Sequence, residues 1–156
     1  MVKIDFFELE PYSKYDFNHN RVIDELSIDY RASKYLGDIR YMIQMIEKRK
    51  TENHIDEMYM AIKNGEYVGF ISLSVIEDRY EVSIGLLPKF RGENLAVLLT
   101  NDFVEHVFEW YPELDEVYAK IDPNNTASIK AAINSGFEQG YGGRYVMRNM
   151  NKRIKL

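Results

Sequence analysis

The chain has 156 residues, 46% of them apolar and 29% charged, which is enough for one ordinary domain with a full core and excludes a disordered or fibrous class. It has no cysteine, which excludes a disulfide scaffold, a thiolate-ligated zinc site and a cysteine nucleophile. The net charge of −5 argues against a general nucleic-acid binder and suits a cationic acceptor. Met1 to Glu10 lacks the basic-then-apolar pattern of a secretory signal, and no apolar run is long enough for a bilayer. The expectation is therefore a cytoplasmic protein without nucleic-acid or membrane partners. No repeat or low-complexity linker interrupts the sequence, so residues 1–156 read as one domain.

Lys3 to Glu8 predicts a short first strand, and Asn18 to Glu52 a mostly helical stretch. Ile39, Met42, Ile43 and Ile46 share a helix face, and Leu36-Gly37-Asp38 reads as a break with a new helix starting at Asp38. The period then changes to two. Met58, Met60 and Ile62 alternate up to a tight turn at Asn64-Gly65. Val68 to Ile76 forms the next strand, with Ile71, Leu73 and Val75 on one face, and Glu77-Asp78 turns the chain into a third, marked by Val82, Ile84 and Leu86. These three predict an antiparallel meander, ended by Pro88, which has no N–H for a ladder.

Glu93 to Tyr111 reads as a long helix with Leu95, Leu99, Phe103, Val107 and Trp110 along one stripe; Pro112 stops it. Val117, Ala119 and Ile121 mark another strand. Asp122-Pro123-Asn124 is a loop, with Asn124 or Asn125 capping a helix that runs to about Ser135 and ends at Gly136. Phe137 to Tyr141 and Arg144 to Met150 close the chain as a hairpin around Gly142-Gly143. Strands covered by helices on both faces make an α/β class.

The segment that points to chemistry runs from Leu86 to Ala96. It joins a strand end, a tight loop and a helix start, where free N–H groups and the positive end of the helix dipole suit a pyrophosphate. Gly92 and Ala96 are small enough to let a ligand approach the backbone, and Arg91 brings charge. An ordinary strand–helix connection has the same look. The order of elements, this loop and a second block at Asn125 to Phe137 resemble the GNAT superfamily of acyl-CoA N-acyltransferases. That family's loop reads Gln/Arg-x-x-Gly-x-Gly/Ala, and Arg91, Asn94 and Ala96 fall on those positions. Its later block reads Asn-x-x-Ser/Ala, then a helix, then Gly-Phe, matched by Asn125, Ser128 and Gly136-Phe137. The resemblance covers about Met58 to Met150.

The resemblance implies a mixed, mostly antiparallel central sheet, splayed between its fourth and fifth strands, with helices on both faces. It implies acetyl-CoA as co-substrate, no metal, and a primary amine as acceptor: a protein amino terminus, a polyamine or another small amine. A homodimer is a common arrangement among such relatives. The pyrophosphate would sit on Arg91, Gly92, Glu93, Asn94, Leu95 and Ala96. The pantetheine arm would pair with the backbone near Ile84 to Leu87, Asn125 would hydrogen-bond it from the other side, and Ser128 of the same block would belong to the cofactor site. A backbone N–H at Leu86 or Leu87 would meet the thioester oxygen. Glu81 is the candidate base, sharing a strand face with Ser83 and Gly85; its plain alternative is a solvated edge-strand glutamate.

Two departures stand out. Asn94 replaces the usual Gly, although Asn is the residue that best tolerates a left-handed backbone. Ala132 stands where many relatives carry a Tyr that protonates the departing thiolate. Tyr141 or Tyr145 of the closing hairpin are the remaining candidates for that role. A thiol with a pKa of about 8.5 also leaves tolerably unaided at neutral pH. These departures sustain a competing reading, a CoA-binding module with little catalysis that acts through a protein partner. Lys89, Lys130 and Arg144 are candidates for the outer phosphate of CoA. His19, His54 and His106 have no metal-ligand spacing.

Overall fold

The computed structural model describes residues 2–49, 57–92 and 94–150. Three helices open it after a two-stranded start: β1 (Val2–Lys3), β2 (Glu8–Pro11), α1 (Phe17–Ile28), α2 (Tyr30–Leu36) and α3 (Ile39–Arg49). A meander follows, β3 (Glu57–Lys63), β4 (Glu66–Ile76) and β5 (Arg79–Leu86), then α4 (Leu95–Trp110), β6 (Glu116–Lys120), α5 (Thr126–Asn134), β7 (Glu138–Gln139) and β8 (Arg144–Arg148). The eight strands form one sheet in the order β1-β2-β3-β4-β5-β6-β8-β7. Every neighbouring pair is antiparallel except β5 with β6.

Each of the first three helices begins on an aspartate that accepts backbone N–H groups left over by the helix start. Asp16 serves Asn18 and His19, Asp29 serves Ala32, and Asp38 serves Arg40 and Tyr41. Both meander turns have two consecutive left-handed residues, Asn64-Gly65 and Glu77-Asp78, the conformation that matches strand twist in a two-residue hairpin. The reading of Lys3 to Glu8 as one strand is corrected. The chain turns there, with Ile4 N–H bonded to Phe7 carbonyl. The N–H groups of Asp5 and Phe6 go to the carboxylate of Asp102, 3.2 and 2.8 Å away on α4. Because this segment supplies two strands, the parallel pair expected as fourth and fifth is fifth and sixth in the chain.

Alternation along the strands separates two cores. One face of the sheet packs Ile71, Leu73, Val82, Leu86 and Val117 against the α4 stripe of Leu95, Leu99, Phe103 and Val107. Phe103, Leu99 and Val107 are fully buried. The opposite face of β3 and β4, with Met58, Met60 and Phe70, packs against Val22, Ile23 and Leu26 of α1 and Ile39, Ile43 and Ile46 of α3. Gly69 lets β4 and β5 approach closely: a Cβ there would stand 1.9 Å from the Gly85 carbonyl oxygen. Among the described residues no helix is long and apolar enough to cross a membrane.

Candidate active site

β5 and β6 share a single register pair, Glu81 with Tyr118, and the ladder does not continue to the strand ends. The sheet is therefore open between the C-terminal halves of these two strands. Parallel neighbours point paired side chains the same way, so Glu81 and Tyr118 lie on one face, opposite α4. The antiparallel pairs Ser74–Glu81, Ser72–Ser83, Tyr118–Val146 and Lys120–Arg144 put all these residues on that same face.

Backbone polarity along β5 follows from the same register. Leu87 N–H is bonded to Val68 carbonyl at 2.9 Å. Gly69 and Leu86 are thus a pair whose own peptide groups face outward from the β4–β5 ladder. Ile84 and Leu86 therefore aim their peptide groups into the opening. Leu87 N–H is already committed to β4, which leaves Leu86 N–H as the donor on the open side. The side chains of Leu86 and Leu87 are both buried, one in each core.

The loop after β5 delivers the start of α4. Asn94 takes a left-handed conformation, φ 59° and ψ 12°, which an Asn tolerates where other side chains strain. Gly92, at φ 84°, has open space where a side chain would be. Among the described residues no side chain caps α4, and the first bond from its own turn is Leu98 N–H to Asn94 carbonyl. The N–H groups of Leu95, Ala96 and Val97 thus stand at a helix start without a side-chain acceptor among the described residues. The side chains of Leu95 and Ala96 turn into the core, so only their backbone faces the loop. Glu93 lies outside the described residues, as does His54.

Arg91 has a different setting from a free phosphate ligand. Its Nε–H donates to Leu86 carbonyl at 3.1 Å, and a terminal nitrogen pairs with Asp29 at 2.8 Å. That guanidinium, with the Ala32 N–H, holds the Asp29 carboxyl below the usual carboxylate range. Across the opening, the Tyr35 hydroxyl of α2 lies 3.4 Å from the Asn124 carbonyl after β6. Helix α2 therefore touches the loop beyond β5 and the loop beyond β6, bridging the two lips of the splay. Asn125 is buried, and its side-chain oxygen accepts the Ser128 N–H at 3.3 Å, so it is the cap of α5 and keeps its amide N–H₂ for other partners. Ser128 is half-buried beside it.

Glu81 is 7% exposed, which removes the solvated-glutamate alternative. Burial pushes its carboxyl above the usual range, against the pull of Lys120, Arg144 and Arg79. No hydrogen bond or ion pair holds its carboxylate among the described residues. Three buried side-chain polar atoms there lack a hydrogen-bond partner, Ser72 Oγ, Ser74 Oγ and Arg144 Nε, and all three share the Glu81 face.

The two hairpin tyrosines separate. Tyr145 pairs with Ala119 on the α4 side and is buried in the main core, remote from the Glu81 face. Tyr141 is 94% exposed, on the rim of a cavity of about 190 Å³ lined by Arg79, Tyr118, Gly140, Tyr141, Arg144 and Val146. Ala132 belongs to the core. Arg144 is not at the phosphate end. It pairs with Glu77 at 3.7 Å, beside the N-terminal end of β5, whereas the helix start lies beyond its C-terminal end. Lys89 pairs with Glu66 at 3.2 Å. Tyr118 is the site residue that sequence reasoning missed. The Val117–Ala119–Ile121 alternation implies that Tyr118 faces the other way, but only the register sets it beside Glu81. Its hydroxyl donates to Glu116, and that bond raises the phenol above its ordinary range.

Comparison with known proteins agrees with this geometry. The family described as the acetyltransferase (GNAT) domain matches residues 9–138. A search of curated protein sequences returned no match. Among solved structures, an aminoglycoside acetyltransferase in complex with coenzyme A and kanamycin superimposes with a TM-score of 0.76 at 18% identity, over 96% of this chain and 98% of that one. The spermidine N-acetyltransferase from Vibrio cholerae, in complex with CoA and spermine, gives 0.71 at 15% identity, over 92% and 96%. An acetyltransferase from Salmonella typhimurium that modifies the N-terminal serine of ribosomal protein L7/L12 gives 0.68 at 16%, over 92% and 95%.

Proposed function

The chain belongs to the GNAT acetyltransferase family, and from that premise we propose that residues 1–156 form one domain that moves an acetyl group from acetyl-CoA to a primary amine by direct attack on the thioester. The pyrophosphate rests on the backbone N–H groups from Gly92 to Ala96. The pantetheine arm lies along Ile84 and Leu86 in the opening between β5 and β6, with Asn125 offering its amide from the far lip. Arg91 serves this loop indirectly, as the brace that ties Leu86 carbonyl to Asp29.

The observation that carries the reading is Glu81. A buried carboxylate with no ion pair or hydrogen bond among the described residues stands where the β5–β6 pairing gives way to the opening. A lysine-type ammonium has a pKa of about 10.4, so attack requires its proton to be removed. A carboxylate made more basic by burial is matched to that task. As the nitrogen bonds to the carbonyl carbon, charge gathers on the thioester oxygen, and Leu86 N–H is the donor positioned to stabilise it. Collapse releases CoA thiolate. Tyr141, exposed at the cavity rim, is the closing-hairpin residue assigned to return a proton. The amines bound in the solved neighbours, kanamycin and spermine among them, support the amine class and leave the individual amine to be found. Locating the protein in the cytoplasm, without nucleic-acid partners and as a homodimer, is part of the same proposal.

Asn94→Asp tests the cofactor half. Asp tolerates the left-handed turn and favours a helix start, yet sets a negative charge where the pyrophosphate would rest. Calorimetry should show acetyl-CoA binding weakened by tenfold or more with the unfolding midpoint unchanged or raised. Equal affinity in the two proteins would remove the phosphate from this loop.

A further inference from the structure

The cavity lined by Tyr118, the register partner of Glu81, has charge on its wall from Arg79 and Arg144. Arg79, Lys120 and Arg144 point to this face, and the carboxylates near them are Glu77 and Glu81. Glu77 is 73% exposed and shared by Arg79 at 3.5 Å and Arg144 at 3.7 Å, an arrangement that contributes little in water. Glu81 has no ion pair among the described residues. Farther along, Glu116 and Glu138 are taken up by Arg148 at 3.9 Å each. Lys120 is exposed and has no ion pair among the described residues. Arg79 stacks over the Tyr118 ring, 5.9 Å from its centre, which holds that guanidinium at the cavity wall.

Arg144 supplies the second observation. Its Nε–H is buried with no partner among the described residues, and a charged donor left so is costly unless something accepts from it. We propose that this cavity is an oxyanion subsite, and that the acceptor is a small molecule carrying a carboxylate a few bonds from its amine. This rests on the reading of Glu81 as the base. The amine stands over Glu81 and Tyr118, and the acid enters between Arg79 and Arg144, accepting from Arg144 Nε. Neighbouring strands lie about 4.8 Å apart, so the reach from β5 across β6 to β8 is roughly 10 Å. That distance, shortened by the arginine side chains, fits an amino acid. A polyamine brings positive charge to the same wall and is disfavoured, in contrast to the spermine seen in one neighbour.

The test has a binding arm and a turnover arm. With CoA present, N-acetylated ω-amino acids having one to three carbons between nitrogen and carboxylate are titrated against wild type and Arg144→Gln, alongside the corresponding amides. The expected result is at least tenfold tighter binding of one acid over its amide in wild type, falling to near parity in Arg144→Gln. The unfolding midpoint of the same preparations reports whether the variant folds, and Arg79→Gln repeats the comparison at the other wall. In turnover, the free amino acid should exceed its amide and spermidine in kcat/KM. Acid and amide binding alike, or spermidine preferred, overturns the subsite. Loss of turnover with the acid preference intact would instead count against Glu81, so the two readings fail separately.

Discussion

The two faces of the sheet across β5, β6 and β8 are built to opposite ends. One face is sealed by α4, and Leu99, Phe103, Val107 and Val117 are all fully buried there. The other holds Glu81, Tyr118, Lys120 and Arg144, with Ser72 and Ser74 beside them on β4, and three of its buried polar atoms have no hydrogen-bond partner among the described residues. The same strands serve both, because alternation hands every second residue to each side. Across β5, β6 and β8 the apolar packing lies on the first face, and the second carries the polar groups that the proposed reaction would use. A change on the sealed face should therefore lower stability, while a change on the open face should lower rate and leave stability equal or better.

Phe103→Ala should give the largest loss of stability, about 3–5 kcal/mol, read by urea unfolding. A loss below 1 kcal/mol would mean that α4 is not the seal. Gly69→Ala comes next. Its methyl would collide with the Gly85 carbonyl, for a cost of about 2–3 kcal/mol, and it should also disturb Leu86 and raise the KM for acetyl-CoA. A variant with wild-type stability and KM would show that β4 and β5 can separate there freely.

Asp29→Asn should cost about 1 kcal/mol and carry a pH signature. The native Asp29 pKa is depressed, so its contribution is present above the unfolded value of about 3.9 and fades as pH falls through the lower native value. Wild type and variant should converge in acid, and a gap constant down to pH 2 would point to lost packing instead. Glu81→Gln has the smallest and opposite effect. Its native pKa is raised, so the wild-type contribution is full below the unfolded value of about 4.3 and is lost as pH rises through the native one. The variant should be the more stable protein at pH 7 and lose that advantage toward pH 4. A destabilised variant at neutral pH would show that Glu81 is held by a partner after all.

Periodicity was enough to read the sealed face. The stripe of α4, the meander and both two-residue turns follow from local patterns, as do the helix starts at Asp38 and Asn125. The open face resisted because its meaning lies in register. Tyr118 and Lys120 look like ordinary solvent-facing residues of a strand until β6 is set parallel to β5. The first strand was misread for a similar reason, since Asp102, nearly a hundred residues away, takes the N–H groups that a continuous strand would have paired. Arg91 matched a phosphate-loop position, yet Asp29, from a separate helix, determines what its side chain does. The αL turn at Asn94 was legible because it depends on one residue's own conformational range.

The central claim is that Glu81 removes the proton from the acceptor amine. Its most direct test is acetyl transfer by Glu81→Gln at saturating acetyl-CoA, followed across pH, with acetyl-CoA affinity measured on the same sample. The account predicts kcat lower by about 10²- to 10⁴-fold, the acidic limb of the pH–rate profile gone, and cofactor affinity unchanged. A variant that turns over at the wild-type rate with the same pH profile would contradict it.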